Sequence, residues 1–178
     1  MHIYTSLEQL PKTKMALIIG TFDGVHRGHQ ALLKKLKSYG VPTGVLTFST
    51  HPLQTLRPPA PVPITSLPVK LQLLEKCGID CAIVLPFPEI MNIPYDQFLN
   101  LLPISHLLLG EGDAFGKNRE GTRANIEAWG GKHHVHIEYM KKLDNISSSR
   151  IREAIKSGNF QLAETLLGHT NYEKNNVN

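Results

Sequence analysis

The chain has 178 residues, 41% hydrophobic and 19% charged, with 19 Lys and Arg against 15 Asp and Glu for a net charge of +4. That length and balance suit one well-cored globular domain, and the scattered basic residues favour small anionic ligands over nucleic acid. The start lacks a basic segment followed by an apolar core, and no apolar run is long enough to span a bilayer, so a cytoplasmic protein without membrane contact is expected.

Apolar runs and their spacing predict, in chain order, a strand at 15–19, a helix at 28–39, a strand at 42–50, a helix at 69–76 and a strand at 80–86. A helix at 95–102, a strand at 106–110, a helix at 123–129, a strand at 135–140 and two short helices follow. Strands separated by helices imply a parallel sheet, and runs such as Ala16-Leu-Ile-Ile19 are too continuously apolar for a sheet with one wet face. The expected fold is α/β: a doubly wound, mostly parallel Rossmann-like sheet with helices on both faces. Ligands of such sheets sit beyond the carboxyl ends of the strands, so segments 20–24, 50–52, 110–116 and 145–149 should converge on one crevice. One domain is expected over 1–170, with 171–178 as a frayed tail.

Between residues 52 and 68 prolines recur too often for a helix or a central strand, and the segment reads as a loop over the site. Cys77 and Cys81 fit neither a C-x-x-C motif nor a zinc site and read as buried free thiols. His134 and His136, alternating with Val135 and Ile137, read as a half-exposed strand edge rather than as metal ligands.

Gly20-Thr21-Phe22-Asp23-Gly24-Val25-His26-Arg27-Gly28-His29 joins the predicted strand at 15–19 to the following helix. Its glycines let the backbone approach a ligand, and the unpaired N–H groups of the helix start favour an anion such as phosphate. His26 and His29, one helical step apart, can both face that anion. Asp23 reads either as a turn-former bonding its own backbone, the reading preferred, or as a polar contact near a nucleotide. A second helix start, Ile146-Ser147-Ser148-Ser149-Arg150-Ile151-Arg152, supplies capping hydroxyls and free amides, with Arg152 on the face of Ser148 and Ser149. No G-x-x-x-x-G-K-[ST] occurs, which excludes a P-loop kinase.

These two motifs, with Thr47-Phe-x-x-His51-Pro52, Gly110-x-x-x-x-Phe115-Gly116-x-x-Arg119-x-Gly121 and Leu166-Leu167-Gly168, resemble the adenylyltransferase half of bacterial bifunctional riboflavin kinase/FAD synthetases. The resemblance covers 20–168. In that family the domain joins the AMP of ATP to the phosphate of FMN, releases pyrophosphate and requires magnesium. The resemblance therefore implies an FMN adenylyltransferase with ATP and FMN as substrates and Mg2+ accompanying ATP. It implies that His26, His29 and Arg152 are catalytic, and that Gly20, Thr21, Phe22, Asp23, Gly24, Ser147, Ser148 and Ser149 bind ATP. It sets His51, Pro52, Leu56, Asp113 and Phe115 on the flavin side. Lys70 stands where the family often has a basic residue, and equally reads as an exposed helical lysine.

The chain departs from the family in two places. Members usually read G-x-D/N-F-x-F-G, whereas Gly110-Glu-Gly-Asp113-Ala-Phe-Gly116 displaces the acid by one position and lacks the first aromatic. The kinase half has no counterpart, which leaves a stand-alone adenylyltransferase served by a separate riboflavin kinase, or a fragment. Two alternatives stay open: a sister nucleotidyltransferase with another phosphorylated acceptor, and a nucleotide- or flavin-binding protein without turnover.

Overall fold

The apolar runs become the interior of a parallel sheet. In the computed structural model, which describes residues 1–141, 143 and 145–173, the strands are β1 (His2–Tyr4), β2 (Met15–Ile19), β3 (Thr43–Phe48), β4 (Cys81–Leu85), β5 (Ile104–Gly110) and β6 (His136–Met140). They pair in the order β1-β4-β3-β2-β5-β6, every pairing parallel. All residues of β3 and β4 are buried, as a sheet covered on both faces requires.

The helices are α1 (Arg27–Lys37), α2 (Pro52–Leu56), α3 (Leu67–Lys76), α4 (Phe87–Ile90), α5 (Tyr95–Asn100), α6 (Arg123–His133), α7 (Ser148–Lys156) and α8 (Phe160–Leu167). On one face Leu17, Leu46, Ile83 and Leu107 pack with Phe98 of α5 and with Ile126 and Trp129 of α6. On the other, Ile18, Val45 and Leu108 pack with Leu33 and Leu36 of α1 and Leu73 and Leu74 of α3. A separate cluster ties α7 to α8 and to Ile64, ahead of α3, through Ile151, Ile155 and Leu167. Chain order reverses between β2 and β5: β2 connects through α1 to β3 on one side, and β5 through α6 to β6 on the other. That is where a crevice opens in such sheets.

Several expectations need correction. Residues 52–68 are not a loop throughout, because Pro52 opens α2 and Pro68 lies in the first turn of α3. Proline is tolerated there, since the amide it lacks has no helical partner. Pro88 likewise sits in the first turn of α4, a helix whose four residues leave no periodicity to read. Strand β1 is similarly too short to announce itself. Helix α6 runs on to His133, and His134 closes it with a left-handed φ of 56°, so only His136 of the histidine group lies in a strand. Gly130 permits this, since a Cβ there would meet Ile137 Cγ1 at 2.4 Å. Cys81 is buried and Cys77 half-buried, both as free thiols.

Glu173 donates its N–H to the Ile64 carbonyl at 3.0 Å, and Tyr172 packs beside Ile64 and Ile151. The rest of the predicted tail, 174–178, lies outside the described residues. Among the described residues no helix is long and apolar enough to cross a membrane.

Candidate active site

The glycine-bracketed turn after β2 owes its shape to backbone that folds back on itself. Phe22, Gly24 and Val25 have φ of 50°, 80° and 38°. Side chains rarely accept such values, and a β-branched residue least of all. Burial of Phe22 and Val25 holds the conformation, and donors from elsewhere in the chain take its carbonyls. Thr47 Oγ1 and Lys70 Nζ donate to Thr21 O at 3.0 and 3.1 Å, and Ser148 Oγ to Asp23 O at 3.1 Å. His169 Nε2 donates to Gly24 O and Gln30 Nε2 to Val25 O, at 2.8 and 2.9 Å.

His26 is the N-cap of α1, its Nδ1 accepting the His29 N–H at 3.3 Å. With Nδ1 so engaged, the proton of the neutral ring resides on Nε2. The His26 and His29 rings stack with centroids 3.6 Å apart, and Phe22 lies against His29 at 4.9 Å. Gly28 makes room, because a Cβ there would meet His26 Nδ1 at 3.1 Å. Burial pushes the His26 pKa down to about 4, so its ring is neutral at physiological pH and can donate to an oxygen without carrying charge.

Asp23 does not serve its own turn. It is buried, and its Oδ1 accepts the N–H groups of Ile64 and Thr65 at 2.8 and 3.4 Å while Oδ2 pairs with Arg152 Nη2. The local turn-former preferred from the sequence is thereby corrected: the partners lie 41, 42 and 129 residues away. Arg152 also donates through Nε to Val62 O at 2.9 Å. Ser147 caps α7, its Oγ accepting the Arg150 N–H at 3.2 Å.

These elements border one cavity of about 710 Å3. Of the residues singled out in the sequence, Gly20, Thr21, Phe22, Asp23, His26, His29, His51, Pro52, Leu56, Asp113, Phe115, Ser147, Ser148, Ser149 and Arg152 line it. Gly24 does not: it packs behind the turn, where an added Cβ would meet Ile64 and Leu167 at 3.1 Å, and its N–H donates to Thr65 Oγ1. His51 caps α2 through Nδ1, which accepts the Leu53 N–H at 3.2 Å, and burial lowers its pKa. Asp113 Oδ2 accepts the Gly110 N–H at 2.9 Å and so closes the turn after β5.

Two features escape a reading of the sequence. One is an apolar wall, with Phe48 edge-on to Phe87 at 5.3 Å and Phe98 edge-on to Phe115 at 6.4 Å; the resemblance sets Phe115 on the flavin side, but Phe48, Phe87 and Phe98 look like ordinary core until the fold brings them to one end of the sheet. The other is Lys70, which is buried rather than exposed. Its Nζ donates to Thr21 O, Thr47 Oγ1 and Phe48 O at 3.1, 3.1 and 3.2 Å. Desolvation pulls its pKa down to about 8 against the opposing pull of the Asp23 charge.

A parallel α/β sheet with two helix N-termini facing one crevice at its topological reversal, one bearing paired histidines and the other serines and an arginine, is a nucleotidyltransferase-type domain. The chain belongs to the FAD synthetase family, whose family model matches residues 8–154. It is 34% identical over 179 residues to the bifunctional riboflavin kinase/FMN adenylyltransferase of Escherichia coli K12, an alignment covering 92% of this chain and 57% of that protein. The chain thus spans little more than half the length of that relative. Among solved structures, a Streptococcus pneumoniae protein described as a macrolide-efflux protein superposes with a TM-score of 0.83 at 22% identity, over 96% of this chain and 62% of that one. Pantothenate synthetase from Thermus thermophilus gives 0.55 at 14% identity, over 90% and 76%. At these identities the likeness is one of fold.

Proposed function

We propose that the chain is an FMN adenylyltransferase, transferring AMP from ATP to the phosphate of FMN to give FAD and pyrophosphate. The observation that carries this reading is a single crevice lined both by residues of two helix N-termini and by the aromatic wall of Phe48, Phe87, Phe98 and Phe115. The helix starts suit a triphosphate, and the wall suits a flat apolar ring system. The relatives' names supply the acceptor, and the riboflavin kinase in those names accounts for the supply of FMN, from the same chain or a separate enzyme. Such chemistry belongs in the cytoplasm.

An FMN phosphate oxygen attacks the α-phosphorus of ATP in line, the bond to the bridging oxygen breaks, and pyrophosphate leaves with the electron pair. No protein nucleophile is needed; alignment and stabilisation of developing charge do the catalysis. His26, neutral and with Nε2–H available, and the adjacent His29 donate to phosphate oxygens at the start of α1. Ser147, Ser149 and the amides of α7 hold the triphosphate from the other side. Arg152 adds positive charge, its guanidinium aimed by Asp23 and the Val62 carbonyl.

Magnesium fits as a passenger on ATP. Asp23 is engaged by Arg152 and two amides, and among the described residues no group of three or more His, Cys, Asp or Glu could hold a metal. Ser147, Ser149 and the histidines would hold the phosphates that carry the ion, which keeps most of its other ligands as water. When bound it neutralises charge on the phosphate oxygens.

The test is incubation of the purified chain with ATP, magnesium and FMN, in parallel with other phosphorylated acceptors. FAD with equimolar pyrophosphate is the expected result. Adenylylation of another acceptor instead would identify a sister enzyme, and binding without turnover a nucleotide- or flavin-binding protein.

A further inference from the structure

Lys70 presents a buried ammonium whose three acceptors are two backbone carbonyls and a hydroxyl, with no carboxylate among them. Burying a charge is unfavourable unless it is paired or hydrogen-bonded, and here three neutral acceptors solvate the ammonium without cancelling its charge. Its acceptors lie at the ends of two neighbouring strands. Thr21 belongs to the turn after β2 that leads into His26, while Thr47 and Phe48 end β3, where the chain turns toward His51 and α2. The charged or titratable groups that act on Lys70 and its surroundings are Asp23 from the turn, His51 from the start of α2 and Arg152 from α7. Asp23 is the one carboxylate against two cations, Arg152 in direct contact and Lys70 at longer range, and burial lowers the His51 pKa, so the group behind the turn carries a net positive charge.

We propose that Lys70 is a positioning residue for the nucleotide: its ammonium fixes the Thr21 carbonyl against the end of β3, and its charge beneath the turn strengthens binding of the triphosphate. The inference rests on the nucleotide reading of the crevice. It goes beyond packing because it makes affinity depend on the ammonium's proton. Loss of that proton removes one of the three hydrogen bonds and the charge together. His26 and His51, whose pKa values are lowered, have already lost theirs at lower pH, while burial raises those of Cys77 and Cys81.

The experiment is calorimetric titration of the full chain with MgATP alone, from pH 7 to pH 9.5, on the wild type, Lys70→Arg and Lys70→Met, with FAD formation measured separately. In the wild type, affinity should be flat to pH 7.5 and fall with rising pH above about 8, approaching tenfold per unit. Lys70→Arg, which keeps its charge throughout, should lose that alkaline fall. Lys70→Met should bind at least about tenfold more weakly at pH 7 and show no fall. A wild-type affinity that is flat from pH 7 to 9.5 overturns the inference even if neither variant folds, and so does an alkaline fall retained in Lys70→Met. ATP binding that behaves as expected with no FAD produced would refute the FMN reading and leave the role of Lys70 standing.

Discussion

Asp23 and Arg152, 129 residues apart, are joined by an ion pair at the edge of the crevice. Asp23 lies in the turn that feeds α1 and Arg152 in the second turn of α7. The pair therefore fixes the distance between the two helix starts, and the two amides that Asp23 also accepts add the 64–65 segment to the same assembly.

Arg152→Met should test that tie. It would leave the Asp23 carboxylate, 5% exposed, with backbone donors but no cation. Breaking a buried pair from one side costs about 3 kcal/mol, to be read from urea unfolding. FAD formation should fall by more than the stability loss accounts for, at temperatures where the variant remains folded. A loss under about 1 kcal/mol would place the pair with ordinary surface bridges.

His29→Ala separates transition-state stabilisation from binding. If His29 acts on charge that develops during transfer, kcat should fall by about 100-fold or more with FMN affinity nearly unchanged. Steady-state kinetics with a parallel flavin-fluorescence titration would decide. An unchanged kcat would remove His29 from the chemistry.

Stability should depend on pH through His26. Its pKa is about 4 in the folded protein against an ordinary value of 6.5, so between these values the unfolded chain binds the extra proton. Stability is then complete above pH 6.5 and is lost as pH falls toward 4, by up to about 3 kcal/mol from this residue. His26→Asn retains a side-chain acceptor for the N-cap but no titrating group. The loss between about pH 7 and pH 4.5, measured by denaturant unfolding, should be smaller in this variant than in the wild type. Equal losses would mean that His26 is not the group responsible.

The parts of this architecture legible in the sequence are those encoded by short-range spacing. His26 and His29 declare themselves because they lie three apart at a helix start behind a glycine turn, and Ser147 because serines gather at a helix start. Asp23 misleads, and Lys70 reads two ways, because their partners are decided by the fold: Lys70 reaches Thr21 across 49 residues and Asp23 reaches Ile64 across 41. The aromatic wall is hidden for a related reason. Phe48, Phe87 and Phe98 satisfy the pattern of core residues, and only the sheet order reveals that they end beside the crevice. Helix α2 is masked by prolines that read as breakers until their position is weighed, and Pro52 occupies the first turn, where proline is harmless.

The turn after β5 is one of the two places where the sequence reading sets a departure from the family pattern, and Gly112→Asp puts an acid at the position expected from that pattern. Gly112 has φ of 81°, and nothing lies within 4 Å of the Cβ it would gain. The substitution therefore meets no steric obstacle and costs only the strain of a left-handed residue, about 1 kcal/mol, which aspartate tolerates better than most. Asp113 already lines the crevice and accepts the Gly110 N–H at 2.9 Å, so the loop has an acid that shapes it. The expected outcome is a slightly less stable protein whose kcat/KM for FMN rises by no more than about twofold. A gain of about tenfold would show that Asp113 is spatially out of register with the substrate and that the displaced acid limits the wild-type enzyme.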